Sequence, residues 1–366
     1  MDMDKRVMDK VVINIDKILD EARVLGCSDV HFTTKIAPVV RLNGSLRKLS
    51  SYPEMTEMGI MKIAEQMTNG RNIENIKNKI DTDFSYVTRR GYRHRVNVFH
   101  QRGNTAIAIR LLRNDIPTLE DLDLPPILGD FSMRPRGLVL VTGPTGSGKS
   151  TTLAAMIDYV NINKSSHIIT IEDPIEYIHE HKRCMVNQRE VGDDVESFAM
   201  SLRAALREDP DVILVGEMRD YETINAAVTA AETGHLVMST LHTTSASDTI
   251  NRIIDVFPAH QQAQIRTQLA TVLVGIIAQT LIPKADGTGR IAALEILNAT
   301  DAVKAMIRDN KVHLIQTAIQ TGRNQGMVCL DQELARLVRE GTITESSARE
   351  KALDITEFER YIKGNG

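Results

Sequence analysis

Residues 136–151 read RGLVLVTGPTGSGKST, and this segment is the most informative part of the sequence. The apolar run 138–141 predicts a buried strand, and the pattern after Thr151 predicts a helix. Between them lies G-x-x-x-x-G-K-[ST], in which a glycine-rich loop and a helix N-terminus bind phosphates. A chance glycine turn is the alternative, and it would require both flanking elements to be accidental. The stretch therefore predicts a nucleoside-triphosphate site.

The loop residues have separate expected roles. Glycines allow the tight turn that points successive backbone N–H groups at the phosphates. Lys149 is expected to neutralise the β- and γ-phosphates, and the Ser150 hydroxyl is expected to bind Mg²⁺. The predicted ligands are therefore ATP and Mg²⁺. The predicted phosphate-binding residues are Gly143, Pro144, Thr145, Gly146, Ser147, Gly148, Lys149, Ser150 and Thr151.

The composition is that of a globular protein. The chain has 366 residues, of which 42% are hydrophobic and 25% are charged, and this length suits two or three domains. Its net charge of -4 is spread without blocks of like charge. Sequence-independent nucleic-acid binding needs a clustered basic face, so direct binding to nucleic acid is not expected.

The cysteines and the apolar runs bear on location. Cys27, Cys184 and Cys329 form no CxxC pair, which favours the reducing cytosol over a disulfide framework or a zinc ribbon. The first residues lack an apolar signal core, and the apolar stretch 269–278 is too short to span a bilayer. We expect a cytoplasmic protein whose membrane association goes through a partner.

The hydrophobic pattern changes along the chain and predicts two domains. An amphipathic helix over residues 1–20, followed by alternating strands and a helix, predicts an α+β domain over residues 1–115. Residues 116–366 predict an α/β domain, because continuous apolar runs typical of a parallel sheet alternate with helices. The pattern becomes helical from about residue 298. The predicted buried strands of the second domain are 138–141, 167–171, 212–215 and 235–240.

Carboxylates follow two of these strands. Glu217 comes after the strand 211–216, where it could hold the water shell of Mg²⁺ beside the phosphate loop. Residues 172–176 place three acids after the earlier strand 168–171, and one of them could orient or deprotonate the attacking water. A plain surface glutamate and a strand-capping loop are the alternatives that remain open.

Two histidines flank the apolar run 236–241. His235 and His242 stand at its two ends. A lone histidine in a core is usually structural, whereas rings at strand ends are better placed to contact a phosphate or a neighbouring loop.

Four segments together carry a family resemblance. They are similar to the four boxes of the secretion ATPase superfamily, and within it the chain resembles the PilT-type retraction ATPases of type IV pili over nearly its whole length. Residues 26–32 and 38–44 are similar to that family's PAS-like N-terminal domain. The core of the second domain is accordingly expected to be RecA-like. The four segments are 143–151, 170–176, 209–220 and 233–244.

The resemblance implies a machine and its partners. It implies a cytoplasmic homohexamer at the inner-membrane base of the pilus, where ATP hydrolysis drives pilin removal. The implied partners are an inner-membrane platform protein and a paralogous pilus ATPase. Among the acids it singles out Glu176 as the base, and it suggests that Arg95 and Arg110 contact nucleotide across a domain interface.

A hexamer can also place a site between subunits and supply an arginine in trans. Arg189, Arg203 and Arg207 flank the catalytic strands and are candidates for this role. Arg203 and Arg207 are four residues apart, which would place them on one face of a helix. A solvated surface cation is the alternative for each.

The chain departs from the family pattern near its C-terminal part. Residues 302–309 keep the charge and apolar pattern of the retraction signature but not its identity, with Lys304, Arg308 and Lys311 on one basic edge. Residues 177–179 and 282–287 are similar to the PilU-type accessory paralogue. The open alternatives are that accessory motor, a nucleotide-dependent ring scaffold without turnover, and a RecA-like DNA motor. The four-cysteine subdomain of the extension motors is missing, which argues against pilus assembly.

Overall fold

The computed structural model of the protein describes residues 14–42, 44–68, 70–112 and 115–364. The chain divides by its internal contacts into two compact units, Met1–Asp115 and Ile116–Gly366. The helix predicted over residues 1–20 falls mostly outside the described residues, and the first described helix, α1, covers Ile15–Val24. In the described part of the chain, no helix has both the length and the apolar character needed to cross a bilayer.

The first unit is an antiparallel sheet with helices packed on it. Its strands are β1 (Asp29–Phe32), β2 (Val39–Leu42), β3 (Ser45–Lys48), β4 (Thr82–Val87), β5 (Arg93–Gln101) and β6 (Asn104–Leu111), in the order β3-β2-β1-β6-β5-β4. Helices α2 (Glu57–Met67) and α3 (Gly70–Lys77) lie between β3 and β4 in the chain. Ile18 of α1 and Ile60 of α2 share a core with Val30 and Ile109 of the sheet. This arrangement confirms the predicted α+β class.

The second unit is built on a sheet of seven strands. They are β7 (Gly137–Thr142), β8 (His167–Glu172), β9 (Met185–Glu190), β10 (Val212–Val215), β11 (Leu236–Leu241), β12 (Leu273–Pro283) and β13 (Arg290–Asn298). Their order is β13-β12-β7-β11-β10-β8-β9. Neighbouring strands are parallel except for the antiparallel pair β12–β13. The four predicted strands are present, and β9 and the β12–β13 hairpin extend the sheet beyond them.

Helices cover both faces of this sheet, which explains why the central strands are apolar along their whole length. Along β7, Leu138 and Leu140 belong to one core while Val139 and Val141 belong to another. Successive strand residues point to opposite faces, so both faces of the sheet are covered. The helices of this region are α4 (Ile127–Ser132), α5 (Lys149–Asn163), α6 (Phe198–Ala205), α7 (Tyr221–Glu232), α8 (Ala246–Asp255) and α9 (Gln262–Val272).

The chain after β13 is helical, as predicted. A core formed by Leu334, Phe358 and Ile282 joins two of these helices to β12. The helices are α10 (Asp301–Arg308), α11 (Ile315–Thr321), α12 (Leu330–Arg339), α13 (Glu345–Arg349) and α14 (Ile355–Ile362).

Candidate active site

The phosphate loop joins the end of β7 to the start of α5. Gly148 immediately precedes the helix at φ 89°, a left-handed conformation that glycine adopts without strain. Gly143 has a φ of 142°, and a Cβ added to it would lie 2.2 Å from the carbonyl oxygen of Gln279. The loop therefore needs glycine at both positions. The N-terminus of α5 opens onto the loop and provides unpaired backbone N–H groups.

Lys149 lies against this loop and is 9% exposed. Its ammonium donates to the carbonyl oxygens of Gly143 at 2.8 Å and of Pro144 at 3.1 Å. Burial lowers the pKa of Lys149, and the negative charges of Glu217 and Glu176 act in the opposite direction. The cation is thus held on the loop, with both predicted carboxylates within electrostatic reach.

Two hydroxyl groups near the loop have no partner among the residues that the structure describes. The Oγ1 atom of Thr142 and the Oγ atom of Ser147 are buried and make no hydrogen bond within that part of the chain. Buried polar atoms usually have a partner, so these two fit a loop that binds a polar ligand. The described donors at the loop, a lysine, two hydroxyls and a helix N-terminus, suit a polyphosphate.

Glu217 lies at the same sheet edge, because the parallel strands β10 and β11 end side by side. One carboxylate oxygen of Glu217 forms an ion pair with Nε of Arg219 at 2.8 Å and lies 3.5 Å from Nε2 of His242. His242 follows β11, as predicted. Arg219 was not a predicted site residue, although it stands only two positions after Glu217 in the same sequence box.

Glu172 ends β8, and its carboxylate has several partners. It accepts from the hydroxyl of Thr170 at 2.6 Å and from Nε2 of Gln188 at 3.2 Å. Part of Glu172 reaches solvent, yet burial of its carboxyl group raises the pKa of Glu172 to about 7. Hydrogen bonds from Thr170, Gln188 and the backbone of Glu176 oppose this shift. Besides Glu176, Glu172 is therefore a second acid near the loop, and its proton is exchangeable near neutral pH.

The loop that carries Glu176 is tied down on two sides. The backbone N–H of Ile175 donates to the carboxylate of Glu190 on β9 at 3.1 Å. The hydroxyls of Tyr177 and Thr151 are 2.9 Å apart, which links this loop to α5. These bonds hold Glu176 in the region that Lys149 and Glu217 occupy.

The two histidines lie at opposite edges of the sheet. His235 precedes β11, and its Nδ1 lies 3.0 Å from the carbonyl oxygen of Ala230. The phosphate loop follows the other end of the neighbouring parallel strand β7. The predicted contact of His235 with nucleotide is therefore not supported within one chain, because strand direction separates this ring from the loop.

The candidate arginines lie on the surface of their own units. Arg189 binds Glu208 at 2.9 Å, and Arg203 is exposed on α6. Helix α6 ends at Ala205, so Arg207 lies beyond it rather than on its face; its guanidinium turns back to the carbonyl oxygen of Arg203 at 3.4 Å.

In the first unit, Arg95 and Arg110 are also paired with acids. Nε of Arg95 lies 3.9 Å from Asp83, and Nε of Arg110 lies 3.1 Å from Asp29.

Three comparisons with known proteins identify the family of this chain. A family model described as "Type II/IV secretion system protein" matches residues 4–357. A Pseudomonas aeruginosa protein described as the type IV pilus retraction ATPase PilT is 47% identical over 340 residues, covering 93% of this chain and 98% of that protein. The type IV pilus ATPase PilU of the same organism is 39% identical over 357 residues, covering 96% and 92% of the two chains.

A solved structure, described as the crystal structure of the pilus retraction motor PilT with bound ADP, superimposes with a TM-score of 0.89 at 48% identity. The match covers 95% of this chain and 99% of that one. The resemblance indicated by the four sequence boxes is thereby confirmed, and the chain belongs to the family of type II/IV secretion system proteins.

Proposed function

We propose that the protein is an ATP-hydrolysing motor that powers the retraction of type IV pili. The main support for this proposal is the arrangement of residues at the site. Lys149, Glu217 and Glu176 converge on a phosphate loop in a chain that is similar to PilT over nearly its whole length.

ATP binding follows from the loop and the helix behind it. Backbone N–H groups at the N-terminus of α5 favour negative charge. Phosphate oxygens are stronger acceptors for the Lys149 ammonium than the two neutral carbonyl oxygens that it now contacts. The loop residues 143–151 are therefore the proposed nucleotide-binding segment.

Mg²⁺ would be held by Ser150 and Glu217. Ser150 lies in the first turn of α5, and Glu217 lies beside Arg219 and His242. When bound, the ion would neutralise the charge on the phosphate oxygens. Arg219 forms an ion pair with the Glu217 carboxylate, so metal binding would require Glu217 to share or exchange this partner.

Glu176 is our proposed base for the attacking water. Glu172 accepts the backbone N–H of Glu176 and is held by Thr170 and Gln188, which supports a positioning role for Glu172. Its pKa of about 7 also makes Glu172 the second candidate for proton transfer.

We propose a homohexamer in which arginines complete the neighbouring site. Arg203 and Arg207 are exposed and suit this role, whereas Arg189 would first have to leave Glu208. For Arg95, Arg110 and His235, nucleotide contact stays a prediction from the sequence.

The partners are proposals of the same kind. They are an inner-membrane platform protein and a paralogous pilus ATPase, with the motor on the cytoplasmic side. The higher identity to PilT than to PilU, 47% against 39%, favours a principal motor over an accessory one. A scaffold without turnover would have no use for Glu176, and the dispersed charge disfavours a DNA motor.

Helix α10 is the proposed contact with the pilus machinery. Its residues Val303 and Ile307 are buried, while Ala302 is exposed. Lys304 is half-buried at a cavity of about 500 Å³ that Arg134 and Arg136 also line. The basic edge of α10 is therefore a surface feature, and the buried apolar face of the same helix holds it in place.

Replacing Lys304 and Arg308 together with Ala should leave ATPase activity and hexamer formation largely intact and abolish pilus retraction. Surface substitutions of this kind change stability by only about 0.5 kcal/mol. Phosphate release by the purified variant and fibre withdrawal in cells are the two measurements. The matched control replaces Lys351 and Lys363, two exposed lysines elsewhere in the C-terminal part, with Ala. Normal retraction in the Lys304/Arg308 variant would contradict the proposed contact, and loss of ATPase activity would assign the helix to the catalytic ring.

A further inference from the structure

Gln279 is a buried polar residue next to the phosphate loop. It lies on β12 and is 5% exposed. The register pairs Ala278 with Thr142, the last residue of β7, so Gln279 stands beside Gly143 where the loop begins. A buried amide at this place needs partners for both of its ends.

Both ends of the side chain have a partner in the loop or in the helix. Nε2 donates to the backbone carbonyl oxygen of Ser147 at 2.7 Å, and Oε1 accepts from the hydroxyl of Thr152 at 2.7 Å. A carbonyl oxygen can only accept, and this fixes which end of the amide faces the loop. One side chain thus bridges the residue before Gly148 and the first turn of α5.

The loop also packs tightly on this residue. A Cβ on Gly143 would lie 2.2 Å from the backbone oxygen of Gln279, and a Cβ on Gly148 would lie 2.8 Å from its Nε2. The glycines therefore allow the loop to approach Gln279 as well as to turn. A glycine-rich segment loses much conformational entropy when it is ordered, and a fixed strand reduces that loss at the moment of binding.

We propose that Gln279 is a positioning residue that holds the phosphate loop ready for nucleotide. It acts through the Ser147 carbonyl group and through Thr152, and so through the backbone N–H groups between them. This inference rests on the proposed nucleotide site and deepens it.

The test measures ADP affinity, and the KM and kcat for ATP, in single and double variants. Gln279→Met keeps the length of the side chain and removes both hydrogen bonds. Its Kd for ADP and its KM should rise roughly tenfold, as expected for two lost neutral hydrogen bonds, while kcat changes less. Thr152→Val removes one bond and should raise Kd roughly threefold.

The double variant tests whether the two side chains act through one bridge. If both side chains act in one bridge, Thr152→Val adds almost nothing to Gln279→Met. Thr280→Val is the control, because the next residue of the strand faces the other side of the sheet. It should leave Kd unchanged. Circular dichroism and the Tm without nucleotide establish that each variant is folded.

Two results would overturn the inference, and a different one would overturn the proposed function. A folded Gln279→Met protein that binds ADP as tightly as the wild type would overturn the inference alone. Should that variant fail to fold, Thr152→Val decides, and an unchanged Kd would overturn the inference too. If the wild-type protein binds no ADP, the nucleotide site itself is wrong.

Discussion

Replacing Lys149 with Ala should abolish ATP hydrolysis. Lys149 is the cation held on the phosphate loop, with its ammonium 2.8 Å and 3.1 Å from two loop carbonyl oxygens. Backbone N–H groups carry no full charge and cannot replace it. Removing a single neutral donor from a charge-stabilising site already costs about 10²- to 10³-fold in kcat, and Lys149 supplies a full charge as well. Phosphate release at saturating MgATP measures the loss.

Lys164→Ala is the matched control for this variant. Lys164 also lies against a backbone carbonyl oxygen, that of Arg134 at 3.0 Å, but it follows the far end of α5. Its loss should leave turnover close to that of the wild type. Normal turnover by the Lys149 variant, or an equal loss in both variants, would contradict the role of Lys149.

Replacing Glu176 with Gln should give a protein that binds MgATP and hydrolyses it slowly. The carboxylate is proposed to act on water rather than on nucleotide, so affinity survives while turnover falls by about 10²- to 10⁴-fold. Nucleotide binding and single-turnover phosphate release separate the two effects.

Two further variants are needed to interpret the result for Glu176→Gln. Glu180→Gln changes an exposed acid of the same segment and should be neutral. Glu172→Gln tests the acid that ends β8, whose pKa is about 7. A large loss with Glu172→Gln and none with Glu176→Gln would make Glu172 the base. Failure of the Glu176 variant to bind ATP would assign Glu176 to metal binding or to structure.

Much of the fold was predictable because the strands that matter are buried on both faces. Their continuous apolar runs are unmistakable, and the glycine loop fixes where one strand ends and a helix begins. The β12–β13 hairpin was missed for the opposite reason. Residues 269–278 are apolar across the junction of α9 and β12. No change in hydrophobic periodicity therefore marks where the helix ends and the strand begins. Strand β9 was missed because its residues are mostly polar.

The site was predictable where charge and strand ends coincide. Lys149, Glu217 and His242 follow strands that end at one sheet edge, so topology alone brings them together. Gln188 and Gln279 could not be found this way. They carry no charge, and their partners are fixed only by strand register, over a separation of 127 residues for Gln279 and Thr152. For His235, the sequence shows that the residue flanks a strand, but it does not show which end of that strand faces the phosphate loop.

We propose that ATP hydrolysis at this loop drives pilus retraction in the cell. Its most direct test is to film labelled pili in a strain that lacks the chromosomal gene and expresses either the wild-type protein or the Lys149→Ala variant at equal levels. We expect extended, non-retracting pili in the deletion strain, withdrawal restored by the wild-type protein, and no withdrawal with the variant. Withdrawal at the wild-type frequency with Lys149→Ala, or in the deletion strain itself, would contradict it.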